Sequence, residues 1–273
     1  MSRATPTRRR TAPRTIPALA LVPAVLALAF LVLPLVGLTL RAPWGRLGEI
    51  LTSTPVRQSL TLSLWTSLAA TAIAVVLGVP LAWLLARGEF PARRLVQAAV
   101  TLPLVLPPVV GGVALLGVFG RCGLLGASLY DAFGITITFT PAAVILAQVF
   151  VAMPFLVVSV EGALRGADLR FDEAAASLGA SRWTTMRRVT LPLIAPSVAA
   201  GAVLTWARAL GELGATITFA GSFPGRTQTL PLTVYSALET DPDAAIALSL
   251  VLLVVCLAVL VVLRGHWLGQ VTR

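Results

Sequence analysis

Apolar stretches of membrane-crossing length constrain this chain more than any other feature. A hydrocarbon core about 30 Å thick takes a helix of about 20 apolar residues. Six stretches reach that length, at about 16–40, 60–85, 95–119, 141–160, 193–219 and 244–263. They predict an all-α integral membrane fold with six transmembrane helices in one multi-pass domain over 16–264, with tails at 1–15 and 265–273 and a polar segment at 165–192. Charged residues make up 12% of the chain, against about 25% in soluble domains, which excludes an ordinary soluble fold. The first stretch follows a run of arginines, as a secretory signal would. A signal's apolar region is about 7 to 15 residues long and ends at a small-residue cleavage site. This one is longer and continues into "LTLRAPWG", so it reads as a retained helix.

The chain has 21 basic side chains and no lysine. Arginine throughout points to GC-rich codon usage and a bacterial source. Arg3, Arg8, Arg9, Arg10, Arg14, Arg87, Arg93, Arg94, Arg165, Arg170, Arg182, Arg187, Arg188, Arg264 and Arg273 fall on one side of the six stretches. Arg41, Arg46, Arg57, Arg121 and Arg226 fall on the other. By the positive-inside rule, both termini and the 165–192 segment are cytoplasmic. A nucleic-acid partner needs a basic face on a soluble fold and is excluded, because these arginines lie between apolar runs.

Nothing suggests catalysis or a metal. Cys122 and Cys256 have no metal-ligand spacing, and the one histidine, His266, lies in the C-terminal tail. No catalytic residues and no cofactor are predicted. Pro80, Pro103, Pro107, Pro108, Pro154 and Pro196 punctuate the apolar stretches. Membrane helices tolerate such breaks where neighbours or a wet cavity satisfy the freed backbone groups, so the prolines fit kinked helices around a pathway, and equally kinks that serve packing.

The polar segment reads "EAAASLGASRWTTMRRVTLP" from Glu173 to Pro192. Asp172 is placed to cap a short helix, with Glu173 in its first turn against the helix dipole. Phe171, Ala174, Ala175 and Leu178 recur at helical spacing as one small apolar face, and Gly179 supplies the left-handed residue that ends it. Arg182, Trp183, Arg187 and Arg188 follow. Such a segment is either a docking knob or an amphipathic helix on the headgroups.

Glu173, Ala174, Ala175, Gly179, Val189, Leu191 and Pro192 reproduce the EAA motif, E-A-A, three residues, G, nine residues, then I-x-L-P, with Val189 in the isoleucine place. The segment resembles the cytoplasmic signature of bacterial ABC importer permeases of type I. That resemblance implies a bacterial cytoplasmic (inner) membrane protein whose Glu173, Ala174, Ala175, Leu178, Gly179, Arg182, Leu191 and Pro192 couple it to a separate ABC ATPase subunit. It also implies an extracytoplasmic substrate-binding protein and a second permease copy, as a homodimer, in the lipid bilayer. A P-loop needs lysine, so this chain cannot carry the ATPase itself and is a transport subunit rather than an enzyme.

"LPLVLPPVVGGVALLGVFG" from Leu102 and "RALGELGATITFAGSFPGRTQTLPLTVYSAL" from Arg208 resemble the molybdate branch of these permeases. Sulfate, thiosulfate or tungstate permeases are the alternatives within the class; a self-contained secondary transporter or channel is the alternative outside it, and would call for inverted repeats. Arg208 and Glu212 fall inside the fifth stretch, where ionisable groups face the bundle interior and pair. Their i, i+4 spacing puts them on one helix face. Two readings stay open: Arg208 lines the path of a dianion, or the two form a neutral pair that fixes packing or a subunit contact.

Overall fold

The computed structural model describes residues 18–168 and 170–271. The expected tail at 1–15, with its five arginines, and Arg273 lie outside them. The described residues divide between Ala42 and Pro43 into two units. The first is a single apolar helix, α1 (Ala18–Leu40). The second holds α2 (Leu47–Thr52), α3 (Thr54–Arg87), α4 (Arg93–Val105), α5 (Pro108–Phe119), α6 (Gly126–Phe133), α7 (Pro141–Gly166), α8 (Arg170–Ser177), α9 (Arg182–Thr185), a π-helical turn (Met186–Thr190), α10 (Leu191–Leu210), α11 (Gly214–Ala220), α12 (Leu230–Thr240) and α13 (Pro242–Val271). Among the described residues there is no strand.

Four helices have the length and apolarity to cross a membrane: Leu21–Leu40, Thr54–Arg87, Pro141–Gly166 and Arg182–Leu210. A fifth is counted if Arg93–Val105 and Pro108–Phe119 are taken together, and Pro242–Ala258 is a shorter apolar helix. Two of the expected spans are broken. The 95–119 stretch is not one straight helix, because α4 and α5 meet at 119°. Pro107 and Pro108 permit the break. A residue before proline is pushed out of the α region, and Leu106 and Pro107 are extended at ψ 135 and ψ 131. Pro108 then sits in the first turn of α5, where its missing N–H costs nothing. The 193–219 stretch also divides, α10 ending at Leu210 and α11 starting at Gly214. At the C-terminus, α13 continues to Val271 through residues expected to be a tail.

The central helix is α7, which packs against α3, α4, α5, α10 and α11. Its buried Leu156, Val157, Val160 and Leu164 form one core with Ala74, Ala82 and Leu85 of α3 and Ile194 of α10. Glycine allows the close approach: a Cβ on Gly78 would stand 3.1 Å from Leu156 Cδ2, and one on Gly201 3.1 Å from Leu156 Cδ1. Small residues of this kind let membrane helices pack backbone to backbone. Polar crosslinks reinforce α3. Trp206 Nε1 donates to Ser67 Oγ at 2.8 Å, and the Leu230 amide donates to Ser63 Oγ at 2.6 Å, so α10 and α12 are both pinned to it.

Candidate functional site

The polar segment folds as an exposed knob. α8 begins at Arg170, two residues before the expected cap, and Asp168 Oδ1 accepts the Arg170 amide at 3.0 Å. Asp172 therefore lies in the first turn rather than at the cap. The helix closes as a Schellman turn, with Ala180 N–H donating to Ala175 O at 3.0 Å and Gly179 N–H to Ala176 O at 2.9 Å. Gly179 stands at φ 80, the left-handed region that this motif requires and glycine adopts without strain.

Phe171 and Leu178 are 54% and 89% exposed, and Trp183 is 66% exposed. Glu173, Ala174, Arg182, Arg187 and Arg188 are exposed with them. Burying these apolar side chains would be worth about 25 cal/mol per Å², and the described residues leave more than half of each uncovered.

Behind the knob the chain enters a span. Ser181 Oγ accepts the Thr184 amide at 3.2 Å and starts α9. The π-helical turn follows, with Leu191 N–H reaching back to Met186 O. Pro192 explains it: a proline ring clashes with the carbonyl four residues back, here that of Arg188, and widening the turn relieves the clash. Leu191 packs on the α3–α7–α10 core and Pro192 lies in the first turn of α10.

A contact that sequence reasoning missed ties the knob to two spans. Asp172 Oδ1 accepts from Thr190 Oγ1 at 3.0 Å, and Oδ2 lies 3.5 Å from Arg87 Nη2 at the end of α3. Thr190 is buried. The signal available in sequence was a carboxylate beside the motif with nothing to pair it locally.

Arg208 and Glu212 meet at the α10–α11 break. Arg208 Nη2 and Glu212 Oε2 are 2.6 Å apart, with Glu212 1% exposed and the Arg208 side chain 28% exposed. Glu212 is past the end of α10, so the single helix face expected for the two is replaced by a corner. Its Oε1 accepts the Ala215 amide at 2.8 Å in the first turn of α11. A cation in the last turn of one helix and a carboxylate at the start of the next each suit the local dipole. The corner packs on the proline break of α4 and α5: a Cβ on Gly214 would stand 2.7 Å from Pro108 Cβ, and one on Gly112 2.7 Å from Thr218 Cβ. The stretches starting at Leu102 and Arg208 thus form one contact.

Among the described residues no group of three or more His, Cys, Asp or Glu side chains could hold a metal. Cys122 and Cys256 are free thiols.

The architecture is that of ABC transporter permeases. It matches a chain from the crystal structure of a bacterial ABC transporter involved in the import of the acidic polysaccharide alginate, with a TM-score of 0.73 over 93% of this chain and 95% of that one, at 19% identity. Residues 74–269 match the family described as binding-protein-dependent transport system inner membrane component, and the chain belongs to that family. It is thus a multi-pass component of the inner membrane. It is 50% identical to the molybdenum transport system permease protein ModB of Mycobacterium tuberculosis, over 92% of this chain and 94% of the relative. Identity to ModB of Escherichia coli is 41% over 80% of this chain and 96% of the relative. The sulfate transport system permease protein CysT of Escherichia coli is 34% identical, over 84% of each.

Proposed function

We infer that this chain is the membrane-spanning subunit of an ATP-driven importer of molybdate. Two copies face each other around a path, a separate ATPase subunit docks on each, and an extracytoplasmic binding protein delivers the anion. Six transmembrane helices with both termini in the cytoplasm place the α8 knob on the ATPase side. The likeness to molybdenum permeases over most of the chain carries the choice of anion, and it exceeds the likeness to the sulfate permease.

In this reading α8, with Glu173, Ala174 and Ala175 on it and Leu178 directly after it, inserts into the ATPase, and Gly179 sets its exit angle. Arg182 flanks the contact, while Leu191 and Pro192 carry displacement into α10. The tether through Asp172 shares the same displacement with α3. Arg208 and Glu212 act as a structural pair. A cation 2.6 Å from a buried carboxylate leaves little net field for a passing anion, and the pair braces a corner of broken backbone at membrane depth.

The test is uptake by the permease, ATPase and binding protein reconstituted together in liposomes. Expected is ATP-dependent accumulation of molybdate, with sulfate taken up far more slowly; accumulation of sulfate in preference to molybdate overturns the choice of anion. Topology is checked in a C122S background by thiol labelling from outside intact cells, where P224C, at an exposed position, labels and S181C does not.

A further inference from the structure

If Arg208 is neutralised, another group must draw a dianion into the path. Three of the arginines are answered elsewhere. Arg46 lies 3.1 Å from both Asp241 and Asp243, Arg87 pairs with Asp172, and Arg121 stacks 4.2 Å over the Tyr130 ring. Arg57 is different. Among the described residues no carboxylate lies within ion-pair distance of it, and it lines an open cavity of about 420 Å³ with Thr54, Gln58, Thr61, Trp65 and Gly225.

We propose that this cavity is an entry site for a tetrahedral oxyanion, with Arg57 as the cation that recruits it. The proposal rests on the import function inferred above. Among the described residues no acidic side chain lines the cavity. Its polar members offer a guanidinium fork, a carboxamide and two hydroxyls, all able to donate to an oxyanion. Thr54, Arg57, Gln58, Thr61 and Trp65 fall at helical spacing, so they form one face of α3. That face opens at the N-terminus of a 34-residue helix, whose positive dipole end adds to the field.

An exposed face of this polarity cannot rest against lipid tails. A helix of this length spans about 50 Å, against a hydrocarbon core of about 30 Å, so its first turns project to the outer surface when Arg87 lies at the cytoplasmic one. The opposite wall is built for close approach. Gly225 has φ 72, and a Cβ there would stand 3.1 Å from Gln58 Oε1, so a larger residue would crowd the carboxamide. The volume is several times that of one tetrahedral oxyanion, and the cavity is open. It therefore suits a hydrated anion in transit rather than one held tightly, which is what an entry site must release.

The experiment uses the full transporter in liposomes with the R57C substitution in a C122S/C256S background. At subsaturating molybdate, uptake is expected to fall about tenfold, the lower end of what focusing by a charged mouth supplies, with assembled complex unchanged. A methanethiosulfonate reagent bearing an ammonium should restore uptake, and one bearing a sulfonate should depress it further. Unchanged uptake in R57C overturns the proposal. So does equal rescue by both reagents, which would mean a packing role. A shift confined to the binding-protein concentration needed for half-maximal uptake also overturns it, because Arg57 would then answer an acidic surface of that protein. Wild-type liposomes that take up sulfate and not molybdate overturn the substrate inferred above instead, and the same R57C comparison on sulfate then decides the site.

Discussion

Glu212 lies two residues beyond the helix that carries Arg208, and its two carboxylate oxygens face opposite ways along the chain. Oε2 meets Arg208 Nη2 at 2.6 Å, and Oε1 accepts the Ala215 amide at 2.8 Å. One buried side chain therefore joins the end of α10 to the start of α11. The corner depends on it twice, for charge and for backbone satisfaction.

Removing one member of this pair strands the other charge, at a cost of about 3 to 5 kcal/mol. Arg208→Gln and Glu212→Gln are each expected to lower the melting temperature and membrane level of the assembled complex. The double change should be milder than either, because it removes both charges together. Thermal melts of the three variants read the coupling directly. Full stability with lost uptake in Arg208→Gln would return Arg208 to the translocation path.

Gly179→Val isolates the turn. Nothing lies within 4 Å of the added Cβ, so the penalty is conformational, about 1 to 2 kcal/mol for a left-handed residue. The expected outcome is a permease that inserts normally but loses its ATPase on purification. Gly179→Asn, which tolerates this conformation, should retain it. Equal retention by both variants would remove the turn from the coupling role.

Asp172 separates coupling from docking. Asp172→Asn keeps an acceptor for Thr190 and drops the charge facing Arg87, whereas Thr190→Val does the reverse. Both contacts are partly solvated, and each is expected to cost about 1 kcal/mol or less in stability. The larger effect should appear in ATP hydrolysis stimulated by the loaded binding protein, which falls in both variants and further in Asp172→Ala while the ATPase stays bound. Normal stimulation in Asp172→Ala would show that the tether transmits nothing.

A pH dependence follows from the α12–α13 connection. The Asp241 carboxylate accepts the Ala244 amide at 3.1 Å and lies 3.1 Å from Arg46. The amide first, and Arg46 with it, hold its pKa below the ordinary carboxylate value. A depressed pKa gives stability that is present above the unfolded value, near about 3.9, and lost as pH falls through the folded one. The wild type should therefore exceed Asp241→Asn in melting temperature across neutral and mildly acidic pH, with the gap closing only in strong acid. A gap that closes near neutrality would point to a different group.

Much of the knob is legible in sequence because its determinants are local. Gly179 ends α8 in both readings, since the left-handed residue and the carbonyls it serves lie within five positions. Asp172 marks the limit. Its identity predicts a cap, yet its partners are 85 positions upstream and 18 downstream by sequence, at Arg87 and Thr190, and no local rule connects them. The same holds for Ser63, whose partner, the Leu230 amide, is 167 positions downstream.

By itself the sequence determined that this is a helical membrane chain, where most of its apolar helices run, and that 165–192 carries a short helix closed by glycine. Those properties follow from transfer of apolar residues into lipid and from backbone preferences, both of which act within a few residues. Only the tertiary structure decided that the 95–119 stretch turns back at Pro107 and that the 193–219 stretch breaks at Gly211. Proline and glycine permit a bend without dictating one. What fixes both bends is their packing against each other, Gly112 on Thr218 and Pro108 on Gly214, a contact between segments about a hundred residues apart.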